Sequence, residues 1–273
     1  MKKRIHRRSF LTTLAASVSG GVLLGATPFH GLRRESDDDM VLIPAGIFLK
    51  GTSMEKVKEL ATSYGYHPSW FESESPVKKL DLPAFKIDRY PVSNKHYQKF
   101  CIDSGHTPPE HWNKLTPPGH LLDHPVCGVN QNDAMTFASW IGKRLPTEDE
   151  WEKAARGTDG RMYPWGDIFN PNACCWNRSG SKGNTTDPVH AHPSGASPYG
   201  VMDMAGNLFE WCIDGPDGGP ELDRAVKYSA FLKGGAWITT EVLDLRCAAR
   251  SNSGHINNAS AFYGFRCVKD LEK

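Results

Sequence analysis

The sequence lacks cysteine between Cys212 and Cys247, although the whole chain of 273 residues has seven. Soft thiolate ligands select Cu(I), so this interval cannot hold copper through a pair of thiolates. An odd number of cysteines also leaves at least one without a partner in the same chain. The seven are Cys101, Cys127, Cys174, Cys175, Cys212, Cys247 and Cys267.

Acidic residues are missing from the first 31 positions, which hold five lysines and arginines. The rest of the chain has 27 basic and 31 acidic residues, a mildly acidic balance. A protein that binds nucleic acid usually carries a concentrated basic surface, which this composition does not supply. We therefore expect no nucleic-acid partner.

Long apolar runs are also absent. The apolar stretch from Leu11 to Ala26 contains Ser, Thr and Gly, whereas a membrane-spanning helix needs about 20 predominantly apolar residues. The stretch follows the paired Arg7 and Arg8, and a basic start, twin arginines and a weakly apolar segment are typical of a Tat export signal. We expect residues 1–31 to be a Tat signal peptide, residues 32–39 a linker, and the protein to reach the periplasm through the Tat translocase. No clear cleavage site follows the apolar stretch. Removal of the signal and its retention as a membrane anchor are therefore both compatible with the sequence.

Residues 40–273 are expected to form one domain with a turn-rich α+β pattern. Alternating apolar residues from Val41 to Phe48 predict a strand pair that enters through the Pro-Ala-Gly turn. A further strand is predicted over residues 85–87, and a helix that begins at Ser93 or Asn94.

Two helix starts carry their own capping residues. Asn130 can cap a helix that has Asp133 at its third position, and Thr147 with Glu150 forms the capping box of the next helix. Pro146 keeps the chain from continuing the first helix into the second. We therefore expect two separate helices here.

Several motifs follow one another along this domain. They are DHPVCGVNQNDAMTFASWIGKRLPTEDEWEKAARG from Asp123, MYPWGD from Met162, YGVMDMAGNLFEW from Tyr199, KGGAW from Lys233, RCAAR from Arg246 and GFRC from Gly264. With them the sequence resembles the formylglycine-generating enzyme family from residue 40 to about residue 270. The resemblance implies an α+β fold related to C-type lectin domains, with little regular secondary structure, and a polar helix over Met54–Tyr64.

In copper-dependent members of that family, two thiolates between the GG turn and the RC pair hold Cu(I) and activate oxygen. The corresponding positions here are Val242 and Trp237 when counted back from the RC pair, or Thr239 and Asp244 when counted forward from the GG turn. None of these residues supplies a thiolate. The comparison with the family therefore predicts no copper and disfavours formylglycine generation.

The family's RC and FRC cysteines also form disulfides with two helical cysteines. This sequence has Ala138 and Ala155 at those places. The implied bridges cannot form, so we expect Cys247 and Cys267 to be free or to pair elsewhere.

The segment from Asp203 to Trp211 resembles the family's structural calcium loop. Calcium takes about six to eight oxygen ligands, and the resemblance supplies most of them. They are the side chains of Asp203, Asn207 and Glu210 and the carbonyls of Gly206 and Leu208. A hydrogen-bonded turn is the alternative. A second calcium site of the family would need an oxygen ligand where Cys174 stands, and hard cations bind thiols poorly.

His255 lies in RSNSGHINNAS, a segment that forms one wall of the substrate groove in the family. A neutral imidazole there can act as a general base near pH 7, with Arg250 as a polar neighbour and Trp237 as an aromatic wall. The alternative is an exposed loop histidine beside core aromatic residues. The isolated pair His190 and His192 is expected to be a surface feature rather than a metal site.

Three functions are compatible with these features. We favour an exported protein, without the copper thiolates, that oxidatively matures a small periplasmic substrate such as a siderophore (pyoverdine-type) chromophore. Its partner would be a small-molecule or peptide-derived substrate, and its redox cofactor is not specified by the sequence. The alternative is a non-catalytic, lectin-like accessory module of a periplasmic metalloenzyme. Formylglycine generation on sulfatases ranks last.

Overall fold

A computed structural model describes residues 39–178, 185–215, 229–250 and 252–271. The predicted export signal and residues 32–38 of the predicted linker lie outside these ranges. Within them, no helix combines the length and the apolar character that crossing a membrane requires.

Four helices and nine short strands form the described part of the domain. The helices are α1 (Met54–Tyr64), α2 (Asn94–Ser104), α3 (Gln131–Trp140) and α4 (Glu148–Arg156), and short 3₁₀ turns cover Pro68–Glu74, Gly119–Leu121, Pro193–Gly195 and Val242–Leu245. The strands are β1 (Met40–Ile43), β2 (Gly46–Lys50), β3 (Lys78–Leu82), β4 (Phe85–Asp88), β5 (Phe209–Trp211), β6 (Ser229–Lys233), β7 (Asn252–His255), β8 (Tyr263–Gly264) and β9 (Val268–Asp270). This mixture of short elements and long turns confirms the α+β prediction.

The strands form three small sheets, with orders β1-β4-β9, β2-β3 and β7-β6-β5-β8. All pairs are antiparallel except β5 with β8. The four-stranded sheet carries the segments that contain most of the family motifs near the C-terminus. Its strand β6 contributes Phe231 and Lys233, which contact residues of the candidate site.

The predicted strand pair at the start of the domain is wrong in its pairing. Strands β1 and β2 both form, but β1 pairs with β4 and β2 pairs with β3. The buried ammonium group of Lys153 donates hydrogen bonds of 2.8 Å to the carbonyls of Pro44 and Gly46, at the connection between the two strands. These carbonyls are tied to α4, and the chain passes from one sheet into another instead of closing a hairpin.

The helix starts agree with the capping pattern. The side chain of Asn130 accepts the Asp133 N–H at 2.9 Å, and the Asp133 carboxylate accepts the Asn130 N–H at 3.0 Å. Thr147 and Glu150 make the same reciprocal pair at 3.2 and 2.9 Å. Ser93 caps α2. These contacts confirm three helix starts that the sequence predicts, because capping depends only on residues within one turn.

The core consists of two large apolar clusters, one beneath α3 and one beneath α4. Ala138 and Cys267 are buried in the first cluster, and Ala155 and Cys247 are buried in the second. Each cluster therefore contains one of the two alanines and one of the two cysteines. All seven cysteines are free thiols.

Candidate functional site

The N-terminus of α4 carries a buried carboxylate that several cations contact. Glu148 is 1% exposed, and its carboxylate accepts from Lys50 at 2.7 Å and from Arg250 at 2.5 Å through each of two guanidinium nitrogens. The fully buried ammonium of Lys233 lies 3.6 Å away. Burial alone would raise the pKa of Glu148, but the charges of Lys233, Arg250 and Lys50 lower it to about 2.

This arrangement fixes the side chain of Arg250. Its guanidinium group lies over the Phe231 ring, 4.9 Å from the ring centre, and it also donates to the carbonyl of Ser73. Strand β6, helix α4 and the turn Pro68–Glu74 therefore all hold the same guanidinium. The sequence gives no sign of these contacts, because Glu148 and Arg250 are 102 positions apart.

Arg250 forms part of the wall of a shallow surface cleft, which we call the 66–250 cleft. Its lining residues are Tyr66, Trp70, Phe71, Glu74, Glu241, Leu243, Asp244, Arg246, Ala249 and Arg250. The floor holds a buried ion pair in which the Arg246 guanidinium donates to both oxygens of Glu74, at 2.7 and 2.9 Å. The same guanidinium stacks 5.0 Å from the centre of Phe71.

An aromatic pair forms the rim of the 66–250 cleft. The rings of Tyr66 and Trp70 are 4.5 Å apart, and Trp70 is 62% exposed although it is a large apolar side chain. The Tyr66 hydroxyl donates to the carboxylate of Glu241. This hydrogen bond links the two walls of the cleft. Sequence reasoning missed this rim; the run Tyr66 to Phe71, which holds three aromatic residues, is the signal that could have indicated it.

The positions where the family has copper thiolates lie close to this cleft in the chain. Asp244 lines the cleft, whereas Val242 packs against the buried cluster of Phe71 and Leu243. The hydroxyl of Thr239 accepts the Ala236 N–H at 2.9 Å, which closes the turn after the GG pair. The segment therefore forms a wall of the cleft without offering a sulfur ligand.

The three predicted catalytic residues occupy different surroundings. Arg250 lines the cleft, but Trp237 is buried against Cys175 and Leu208, and its ring centre lies 5.3 Å from that of Phe262. His255 is exposed at the end of β7, where it pairs with Ser229 of β6.

His255 is therefore on a strand, which corrects the predicted loop position. Backbone pairing with β6 extends the segment that the motif suggested would be irregular. The ring Nδ1 of His255 accepts the Asn257 N–H at 3.2 Å. Arg250 contacts Glu148, the Trp237 ring contacts Phe262, and His255 contacts Asn257, so the three predicted catalytic residues have different partners.

The predicted calcium ligands make close contacts with protein groups. Both oxygens of Glu210 accept from the buried guanidinium of Arg266 at 2.6 Å, and one also accepts from the Trp151 indole at 2.8 Å. The side-chain oxygen of Asn207 accepts the Asp187 N–H at 3.0 Å, and its amide donates to Asp203 at 3.0 Å.

These contacts do not fit a shell that uses all five predicted ligands, because Arg266 occupies the carboxylate of Glu210. One oxygen of Asp203 differs: its Oδ1 is buried and has no hydrogen-bond partner. Burial raises the pKa of Asp203 to about 7. Gly206 has a φ of 75°, and an added Cβ would lie 2.3 Å from the Cys175 carbonyl. Glycine therefore permits the tight curl of this loop, and the calcium prediction now depends on Asp203 and the backbone carbonyls.

Replacing Asp203 by asparagine tests that prediction better than changing Glu210. A Glu210 variant loses the Arg266 pair whether or not calcium binds. We expect EDTA to lower the Tm of the wild type and to leave the Tm of Asp203→Asn unchanged, because the variant lacks the unpartnered charged oxygen. Thermal melts with and without EDTA, and with calcium restored, measure this. Identical wild-type melts in EDTA and in calcium would contradict the calcium prediction.

The other candidate metal ligands either contact protein groups or lie apart from further ligands. His192 contacts Asp187 at 2.9 Å and the Asn172 carbonyl at 3.2 Å, and His190 is exposed on a turn. Cys174 is buried, and burial together with the nearby Asp203 charge raises the pKa of its thiol to about 12. In the parts of the chain that the structure describes, no three His, Cys, Asp or Glu side chains group together in a way that could hold a metal ion.

Three small sheets, long ordered turns and capped helices, with a GG turn beside the cleft, define a domain of the formylglycine-generating enzyme type. The chain belongs to the family with the sulfatase-modifying factor enzyme 1-like domain, whose family model matches residues 27–271.

Relatives differ in what their names describe. The formylglycine-generating enzyme of Bos taurus is 30% identical, over 97% of this chain and 80% of its own. The inactive C-alpha-formylglycine-generating enzyme 2 of Bos taurus is 29% identical, over 84% and 87%. The serine/threonine-protein kinase Pkn1 of Chlamydia trachomatis serovar L2 is 34% identical over 86% of this chain. This chain spans only 38% of that kinase's length.

Solved structures show the same fold. PvdO from Pseudomonas aeruginosa superposes with a TM-score of 0.65 at 24% identity, over 85% of this chain and 94% of its own. CarF superposes with a TM-score of 0.60 at 19% identity, over 86% and 98%. At these identities the likeness establishes the architecture, and it confirms the predicted fold.

Proposed function

We propose that this chain is an exported member of the family that binds a small planar aromatic substrate in the 66–250 cleft. The reaction we propose is oxidative maturation of a siderophore (pyoverdine-type) chromophore. The observation that carries the proposal is the exposed aromatic rim of Tyr66 and Trp70 beside a segment that has lost the family's thiolates.

The absence of thiolates near the cleft argues for chemistry other than formylglycine generation. The nearest cysteine along this segment, Cys247, is buried, and burial raises the pKa of its thiol to about 12. A protonated, buried thiol is a poor metal ligand and a poor nucleophile. Without a copper thiolate pair, the oxidation requires another metal, a bound redox partner, or a substrate that itself transfers two electrons and two protons to dioxygen, which becomes hydrogen peroxide.

The aromatic rim suits a chromophore as the substrate. A chromophore is a planar conjugated ring system, and such rings stack on aromatic side chains with offset or edge contacts. Trp70 is 62% exposed, so much of its side chain is open to a ligand. The buried pair of Glu74 and Arg246 makes the floor beneath it rigid and polar. The cleft therefore supports binding of a ring with polar substituents.

A binding module without catalysis is the second candidate. Both arginines of the cleft are held by buried carboxylates, Arg246 by Glu74 and Arg250 by Glu148. Each guanidinium is therefore engaged in a structural ion pair rather than free to take part in a reaction. Binding without turnover would fit a lectin-like accessory protein. Export through the Tat translocase is part of both proposals and is based on Arg7 and Arg8.

We predict that Trp70→Ala lowers affinity for a reduced pyoverdine-type chromophore about tenfold, because it removes the exposed stacking surface. Trp70→Phe should keep most of the affinity. Trp140→Ala is the matched control, because Trp140 is a partly exposed tryptophan on α3 that packs against Phe100 and Phe137. Equilibrium dialysis measures binding, and an oxygen electrode with absorbance spectroscopy measures turnover. Binding without oxygen uptake would favour the accessory module; equal binding by Trp70→Ala would reject the cleft as the site.

We also predict that a sulfatase peptide containing the target cysteine is left unmodified, with or without added Cu(I). No thiolate pair lies between Cys212 and Cys247 to hold the metal. Mass spectrometry of the peptide after incubation is the measurement, with an active formylglycine-generating enzyme as the positive control. An aldehyde product from this chain would overturn the preferred function.

A further inference from the structure

The charges in the 66–250 cleft do not balance locally. Arg246 is paired with Glu74 and Arg250 with Glu148, each through short charged hydrogen bonds. Two more carboxylates, Glu241 and Asp244, lie on the same wall of the cleft. Among the described residues, neither carboxylate forms an ion pair, although the nearby Arg246 charge opposes the rise that burial causes in the pKa of Asp244. The cleft therefore has an excess of negative charge on the side that faces the aromatic rim.

The aromatic rim and the acidic wall meet at one point. The Tyr66 hydroxyl donates to Glu241, and the Tyr66 ring stacks on Trp70. The hydrogen bond to Glu241 and, in smaller part, desolvation and the charges of Glu241 and Asp244 raise the pKa of Tyr66 to about 12. The shift indicates that both carboxylates act on the rim. An exposed aromatic face and a negative field thus share the mouth of the cleft.

A ligand that stacks on Trp70 must lie beside these carboxylates and displace water from them. A neutral or anionic ring would leave Glu241 and Asp244 partly desolvated and unpaired, which is unfavourable. A cationic ring would restore pairing for both carboxylates and gain cation–π attraction from the rim. A ligand ammonium or amidinium group could also replace the Tyr66 hydroxyl as the donor to Glu241.

We propose that the 66–250 cleft selects planar aromatic ligands that carry a positive charge, with the ring on Trp70 and the charge toward Glu241 and Asp244. The inference depends on the cleft being the substrate site of the proposed function, and it specifies the class of substrate. It does not depend on whether the bound molecule is oxidised.

The test uses two probes of nearly equal shape, N-methylquinolinium, which is always charged, and quinoline, which is neutral at pH 7. We expect the wild type to bind the cation about tenfold more tightly, the size of effect that two partly exposed carboxylates and a cation–π contact can give together. Equilibrium dialysis with probe absorbance measures both affinities. The preference should shrink as salt is raised, because exposed charges are screened.

The double variant Glu241→Gln with Asp244→Asn should reduce the preference to the smaller part that the cation–π contact supplies. It should not weaken quinoline binding, because a neutral ring gains nothing from the two charges. The matched control, Asp103→Asn with Glu110→Gln, removes two charges outside the cleft. This control should keep the preference for the cationic probe. Equal affinity of the wild type for both probes would overturn the charge selection while leaving the aromatic site intact. Failure of both probes to bind would overturn the selection and the cleft together, whereas cation preference without chromophore oxidation would reject only the proposed reaction.

Discussion

Replacing Arg266 by methionine is expected to lower the free energy of unfolding by about 3 to 5 kcal/mol, the usual cost of leaving one member of a buried ion pair alone. Arg266 is fully buried and makes two 2.6 Å hydrogen bonds to Glu210. It also donates to the carbonyl of Met202 at 2.8 Å and to that of Asp88 at 3.2 Å. Its loss leaves a buried carboxylate and several carbonyls without a donor. Urea denaturation followed by tryptophan fluorescence measures the change.

Two further variants test whether the loss of stability comes from the buried ion pair. Arg266→Met combined with Glu210→Gln should recover part of the lost stability, because the second change removes the unpaired charge. Arg161→Met is the surface control: Arg161 pairs with Asp159 at 2.6 Å, but its side chain is partly exposed and that of Asp159 is 56% exposed. Exposed pairs contribute about 0 to 1 kcal/mol. An Arg266 variant within that range of the wild type would show that the pair does not brace the loop.

Replacing Glu148 by glutamine is expected to have the second largest effect, again about 3 kcal/mol or more, because three cations then lose a shared buried anion. The fully buried ammonium of Lys233 would retain Glu152, at 3.5 Å, and its hydrogen bond of 3.0 Å to the Ala249 carbonyl. The guanidinium of Arg250 would lose two charged hydrogen bonds and gain freedom within the cleft. We therefore expect altered ligand binding as well as lower stability.

The pH dependence of stability tests the role of the Glu148 carboxylate. Its folded pKa of about 2 lies below the ordinary value of 4.5. The stabilisation is therefore fully present above pH 4.5 and is lost as the pH falls from about 4.5 through about 2. In Glu148→Gln, this part of the acid destabilisation should be missing when Tm is followed from pH 7 to pH 2. The control is Asp149→Asn, which changes the adjacent, more exposed carboxylate on the same Lys50. Parallel acid profiles for wild type and Glu148→Gln would contradict the assignment.

Local signals in the sequence correctly predicted the starts of three helices. Ser93, Asn130 and Thr147 each cap a helix through a hydrogen bond to a backbone N–H only three residues away. The predicted pairing of the first two strands failed for the opposite reason. The partner residues in β3 and β4 lie at least 28 positions further along the chain, the distance from Lys50 to Lys78, and nothing within residues 40–50 specifies them.

In the candidate site, too, the sequence predicted some features and missed those that depend on tertiary packing. Motif order predicted the family and the missing thiolates. Residue types alone grouped His255, Arg250 and Trp237, and the structure separates them. Trp237 fills an apolar cluster and His255 ends a strand, whereas Arg250 joins Glu148. Composition cannot distinguish a groove wall from a core side chain, because both require the same apolar surface.

The sequence by itself determined the family, the α+β class, the helix caps and the lack of a copper thiolate pair, because each depends on residue identity or on contacts within one turn. Only the tertiary structure decided which charges pair. Arg266 and Glu210 are 56 positions apart, and Arg250 and Glu148 are 102 apart. Buried charges must find partners wherever packing brings them together. The aromatic rim, the acidic wall and the cleft between them likewise exist only once α1, the turn that follows it and the segment after the GG pair have packed against one another.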